Sequence, residues 1–114
     1  MFNENKFHDL LQKRINTSDE WYDGLNAVWN ELTDLICENI NDSIEFLLNK
    51  CSEEDFSWLS EFFEQVIEKS LSQEYIDALR VVAAKYPEET SKYNIIEFID
   101  DAQARLDYLL NPED

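Results

Sequence analysis

One glycine and two prolines in 114 residues leave this chain almost without the residues that reverse a backbone tightly, because hairpin turns draw on glycine for positive φ and on proline for a fixed φ. No segment sustains strict alternation of apolar and polar residues, so strands would lack both their turns and their period. The fold expected is all-α: a compact bundle of five to six antiparallel helices with short connections, one domain over residues 1–114. An apolar content of 44%, with 3 Trp, 5 Tyr and 7 Phe, suffices for one core and is too rich for a disordered acidic tail.

The first helix is expected from about Asn5 to Ile15, with Phe7, Leu10, Leu11 and Ile15 inward. Thr17-x-x-Glu20 then reads as a capping box, the threonine oxygen accepting from an orphan amide while the glutamate reaches back. A second helix, about Ser18 to Glu38, has the clearest pattern: Trp21, Leu25, Val28, Leu32, Leu35 and Ile36 fall on one stripe at 100° per residue. Asn39 to Asp42 reads as a break, followed by a short helix to Lys50 carrying Ile44, Phe46, Leu47 and Leu48. Ser52-x-x-Asp55 caps a helix expected to run to about Lys69, burying Leu59, Phe62, Phe63, Val66 and Ile67. Ser70-x-x-Gln73 is the candidate cap of the next, which Pro87 stops near Tyr86. The last helix runs from about Tyr93 to Leu110 over Ile95, Phe98, Ile99, Ala102, Leu106 and Leu109.

Charge is the second constraint. With 26 acids against 9 bases the net charge is −17, and positions 15 to 49 hold eight carboxylates (Asp19, Glu20, Asp23, Glu31, Asp34, Glu38, Asp42, Glu45) and no lysine or arginine. Glu20, Asp23, Glu31, Asp34 and Glu38 cluster on a flank of the second helix away from its apolar stripe, which makes an acidic ridge. A solvated face serves solubility, yet like charges concentrated without local counter-charge repel, and such a field suits a basic partner. The same charge argues against nucleic acid as a direct ligand, since phosphates are held by Lys and Arg, and against an anionic membrane surface. No apolar run approaches the roughly 20 residues of a membrane span, and Met1 to Lys6 lacks the apolar core of a secretory signal, so the expected location is cytoplasmic.

Little catalytic chemistry is legible. Cys37 and Cys51, without CxxC or HxxxH company, read as reduced and structural. His8, with Glu4 one turn before it, reads as helix-end packing, and no Glu-x-x-His pair is present. Gly24 alone cannot make a phosphate loop. Asp100 and Asp101 point about 100° apart on a helix. No nucleophile–base pair stands out, so no catalytic, metal or cofactor site is expected and the chain reads as a binder, not an enzyme. Trp21 belongs to the second helix's core stripe. Trp29 and Trp58 lie near the edges of theirs, and each is either a boundary residue half covered by a neighbour or an interface anchor.

From Cys51 onward the sequence resembles a group of small all-α immunity proteins of bacterial toxin systems, including contact-dependent growth inhibition. The segments that carry it are Phe56-Ser57-Trp58-Leu59-Ser60-Glu61-Phe62-Phe63, Ile67-Glu68-Lys69-Ser70, Tyr75-Ile76-Asp77-Ala78-Leu79, Lys85-Tyr86-Pro87-Glu88-Glu89 and Lys92-Tyr93-Asn94-Ile95-Ile96-Glu97-Phe98-Ile99. The resemblance implies a protein that binds a cognate toxin domain inside the producing cell and neutralises it without chemistry of its own. Many such toxins are nucleases, and an acidic face would compete with RNA or DNA for their basic clefts. The expected contacts are Glu20, Asp23, Glu31, Asp34, Glu38, Trp58 and Glu61. Two alternatives stand beside this one: an acidic mimic of nucleic acid that binds a DNA-binding protein, and a helical-hairpin adaptor that binds a peptide.

Overall fold

The computed structural model describes residues 1–112, and these are all-helical. The elements are α1 (Glu4–Ile15), α2 (Tyr22–Glu38), α3 (Ile40–Asn49), α4 (Glu53–Leu59), a 3-10 turn (Ser60–Phe62), α5 (Phe63–Ser70), α6 (Gln73–Lys85), α7 (Pro87–Lys92) and α8 (Ile95–Leu110). Two features raise the count above the expected five to six. Pro87, placed at the first position of α7 where its missing N–H is harmless, starts a short helix in the segment left between the two expected last helices. The helix expected over 52–69 is also interrupted.

That interruption has a local cause. Ser57 Oγ donates to the Glu54 carbonyl at 2.8 Å and Ser60 Oγ to the Ser57 carbonyl at 2.5 Å, side-chain bonds that compete with the helical ladder. Phe62 leaves helical geometry at φ −133° and ψ 26°. The bend lets the consecutive rings of Phe62 and Phe63 both reach the core, which neighbours 100° apart on a straight helix do less readily.

Side-chain caps set several starts. Asn3 accepts from the Lys6 N–H, Asn39 from Asp42, Ser52 from Asp55 and Ser72 from Tyr75. The Ser52 cap is the one expected, whereas α6 is capped by Ser72 and not by Ser70. The Thr17–Glu20 box does not form: Thr17 Oγ1 donates back to the Lys13 carbonyl at 2.7 Å, and α2 begins at Tyr22 without a side-chain cap.

The core gathers at α5, which packs against α8 and α2, while α1 lies on α2 and α6 on both α3 and α8. Val28, Leu32, Phe56, Val66, Ile67, Ile76, Leu79, Ile99 and Leu106 are fully enclosed. Several expected core positions are not in it, Leu48 and Leu109 among them. Trp21, just outside α2 at φ −99° and ψ 84°, is 61% exposed, because the stripe it was assigned to starts only after it. Its ring instead folds back onto Gly24, where an added Cβ would stand 2.3 Å from Cε3. Ile15 is exposed and Arg14 takes the inward place on α1. Phe98 is 44% exposed.

Tyr75 is enclosed on all sides, and its hydroxyl has no hydrogen-bond partner among the described residues. A buried unpaired hydroxyl is a standing penalty. Tyr75→Phe is therefore expected to raise stability by about 1 kcal/mol in urea denaturation, and a clear loss of stability would show that the hydroxyl is satisfied.

Candidate partner interface

The acids of α2 are exposed, as their phase on the helix requires. They are not all free. Lys13 Nζ lies 3.0 Å from Glu31 Oε1, and Lys69 pairs with Asp34, a hydrogen bond that holds the Lys69 ammonium above its ordinary pKa. Counter-charges missing from the local sequence are thus supplied across the packing by α1 and α5. Asp19 and Asp42 are also paired, with Arg14 and with the amino terminus. Glu20, Asp23 and Glu38 keep no ion pair among the described residues, so the ridge is two free ends separated by a neutralised middle.

Glu61 and Trp58 belong to a different constellation. Arg14 is only 6% exposed, although it is a charged residue. Its Nε donates to Glu61 Oε1 at 2.6 Å and its Nη2 to Glu61 Oε2 at 2.7 Å, a forked pair, while Nη2 also reaches Asp19 Oδ1 at 3.0 Å. The hydrogen bonds to Glu61 raise the guanidinium's already high pKa. The same guanidinium stands 5.1 Å from the centroid of the Trp58 ring, and the Trp29 indole N–H donates to Glu61 Oε1 at 3.3 Å. One carboxylate therefore ties α1, α2 and the bend after α4 together. Glu61, expected as a partner contact, has both oxygens engaged by Arg14 and also lines the groove on which Trp58 opens. Trp29 and Trp58 are half-buried boundary tryptophans packed on the core.

Trp58 also faces outward. With Tyr93 and Phe98, 46% and 44% exposed, it lines an open groove of about 650 Å³ between α4, α7 and the start of α8. The rim carries Glu53, Glu54 and Glu89, none of them in an ion pair among the described residues, and Lys92, whose ammonium lies 5.1 Å from the Tyr93 ring centroid. Beyond Phe98 and Glu61 a smaller depression of about 330 Å³ continues past Glu64, Glu68 and Asp101. An aromatic floor with carboxylates around it can bind cations and apolar surface together.

No protein-family model, curated protein or solved structure matches this chain. The site must be judged on its own chemistry. Among the described residues no three His, Cys, Asp or Glu side chains are placed to hold a metal ion, and no helix is long and apolar enough to cross a membrane. His8 Nε2 lies 3.1 Å from Asp55 Oδ2 on α4, while Glu4, its neighbour along the helix, pairs with Lys50. Cys37 and Cys51 are free thiols whose sulfurs donate to the Val66 and Ser52 carbonyls.

Sequence reasoning missed Arg14, Tyr93, Phe98, Glu53 and Glu89, while Glu54 falls on the same side of its helix as Trp58. A signal existed for two. At 100° per residue Arg14 lies within about 20° of Phe7 and Ile15 about 80° away, so phase alone favoured the arginine. Phe98 lies about 60° off the line of Ile95, at the margin of the stripe. The meeting of α4 with α7 and α8 leaves no trace in local pattern.

Proposed function

We propose that this protein is an immunity-type inhibitor: it binds a cognate bacterial toxin domain, a basic nuclease acting on RNA, and occludes the toxin's active site with acidic surface. The observation that carries the reading is the groove in which Trp58, Tyr93 and Phe98 are rimmed by unpaired Glu53, Glu54 and Glu89. Such a face offers aromatic anchoring and negative potential at one place, the combination that holds a basic protein. The wider charge supports it. At −17 overall, the molecule carries far more carboxylate than its own nine lysines and arginines can neutralise, and a nuclease must present positive charge to phosphates. Long-range attraction would speed encounter, which suits an inhibitor acting against a toxin made in the same cytoplasm.

The direct test is co-purification with the product of the gene immediately upstream, followed by an RNase assay of that product with and without this protein. Stoichiometric loss of nuclease activity is the expected result, and a partner that binds yet stays active overturns the occlusion step. Charge reversal separates the two parts of the α2 ridge. Glu20→Lys, Asp23→Lys and Glu38→Lys together are expected to slow association about tenfold at low salt, with helical circular dichroism unchanged. Glu31→Lys with Asp34→Lys should have a smaller effect, because Lys13 and Lys69 already neutralise those acids. Equal effects would make the ridge act as one charged surface.

A further inference from the structure

The groove between α4, α7 and α8 has a floor on which a cation can lie and a rim with which it can pair, and one residue already displays that chemistry inside the protein. Arg14 stacks against Trp58 at 5.1 Å while forking onto Glu61. Arg14 does not line the groove, whereas Trp58 does, so the tryptophan holds one cation from within and offers further surface outward. We propose that the groove is an arginine-recognition site, in which a guanidinium borne by a basic protein partner lies against Trp58, Tyr93 and Phe98 and pairs with Glu54 and Glu89. The assignment rests on the reading of the partner as an electropositive protein.

Several observations select arginine. The floor is aromatic, and a planar, weakly hydrated guanidinium stacks on such rings, whereas an ammonium keeps its water and acts as a point charge. Rim carboxylates free of ion pairs can accept a fork of two N–H donors, as Glu61 does from Arg14. A purely apolar occupant would desolvate those carboxylates without compensation, and a nucleic acid would be repelled by them. Lys92 already places its ammonium 5.1 Å from the Tyr93 ring. This resident cation shows that the floor accepts positive charge, and it competes with an incoming one.

The test titrates ¹⁵N-labelled protein with two synthetic peptides of equal length and charge, one built on arginine and one on lysine. The three tryptophan indole signals are assigned with Trp21→Phe and Trp29→Phe. The arginine peptide is expected to shift the Trp58 indole and the amides of residues 53–58 and 89–98, binding at least about fivefold more tightly than the lysine peptide. Glu54→Gln with Glu89→Gln should weaken it at least about tenfold, Lys92→Ala should strengthen it about threefold, and Glu20→Gln with Asp23→Gln should leave it within about twofold. Thermal melts of each variant separate lost binding from lost folding. Equal affinity for the two peptides, or binding indifferent to Glu54 and Glu89, overturns the assignment. Its failure is distinct from failure of the inhibitor reading: a toxin captured regardless of Glu54 and Glu89 removes the groove alone, while peptide binding in the groove with no inhibition of the upstream product removes the inhibitor alone.

Discussion

Glu61→Ala is expected to destabilise the fold by about 2–3 kcal/mol, seen as a fall of roughly 10 °C in the melting temperature. The substitution removes both acceptors of the Arg14 fork and the acceptor of the Trp29 indole in one step. Arg14 is buried and cannot shed its charge, so it is left desolvated with only Asp19, an exposed residue, to face it. Stranding a buried partner costs about 3–5 kcal/mol when the pair is fully enclosed. The Glu61 side chain is 27% exposed, which places the expectation below that range. A double variant makes the cause explicit. Arg14→Met with Glu61→Leu replaces the pair by apolar side chains of similar reach and should regain at least half of the loss. A single-variant loss under about 1 kcal/mol would mean that solvent already screens the pair.

The protein is also expected to lose stability as pH rises from about 9, with a reducing agent present to keep the thiols reduced. Burial pushes the Cys51 thiol up from its ordinary 9.0 to about 12, with a further push from the Asp55 charge. The folded state therefore holds a proton that the unfolded chain releases. By linkage this contribution is intact below about pH 9, falls by about 1.4 kcal/mol per pH unit above it, and is gone once pH passes about 12. Burial raises the Tyr75 hydroxyl too, adding loss in the same direction above about pH 10. The combined loss by about pH 11 is on the order of 4 kcal/mol. Cys51→Ala should lower stability at neutral pH by about 1 kcal/mol, from lost packing, while flattening the decline between about pH 9 and 11. An unchanged slope would exonerate the thiol.

What could be read without coordinates was whatever local sequence decides. The α2 stripe from Leu25 to Ile36 and the Ser52 cap are settled by residues within a turn or two, and the structure keeps them. Failures fall where a distant element intervenes or a helix ends. Trp21 had the right phase but lies outside the helix that would have given phase a meaning. The α2 carboxylates seemed unneutralised because Lys13 and Lys69 stand 18 and 35 residues from their partners. Glu61 is tied to Arg14 from a helix 47 residues away in sequence, and the groove that Trp58 lines needs α7 and α8, which no spacing in α4 announces.

The 3-10 bend at Ser60–Phe62 has an evolutionary consequence. On a straight helix the outward residues of 53–59 would be locked in phase to the inward residues of 63–70, and altering one set would disturb the other. The bend uncouples them. In α4 Phe56 and Leu59 are committed to the interior, Asp55 faces His8 and Ser57 helps to make the bend, so Glu53 and Glu54 can drift while α5 stays constant. A lineage could thus rewrite the outer face of α4 on an unaltered frame.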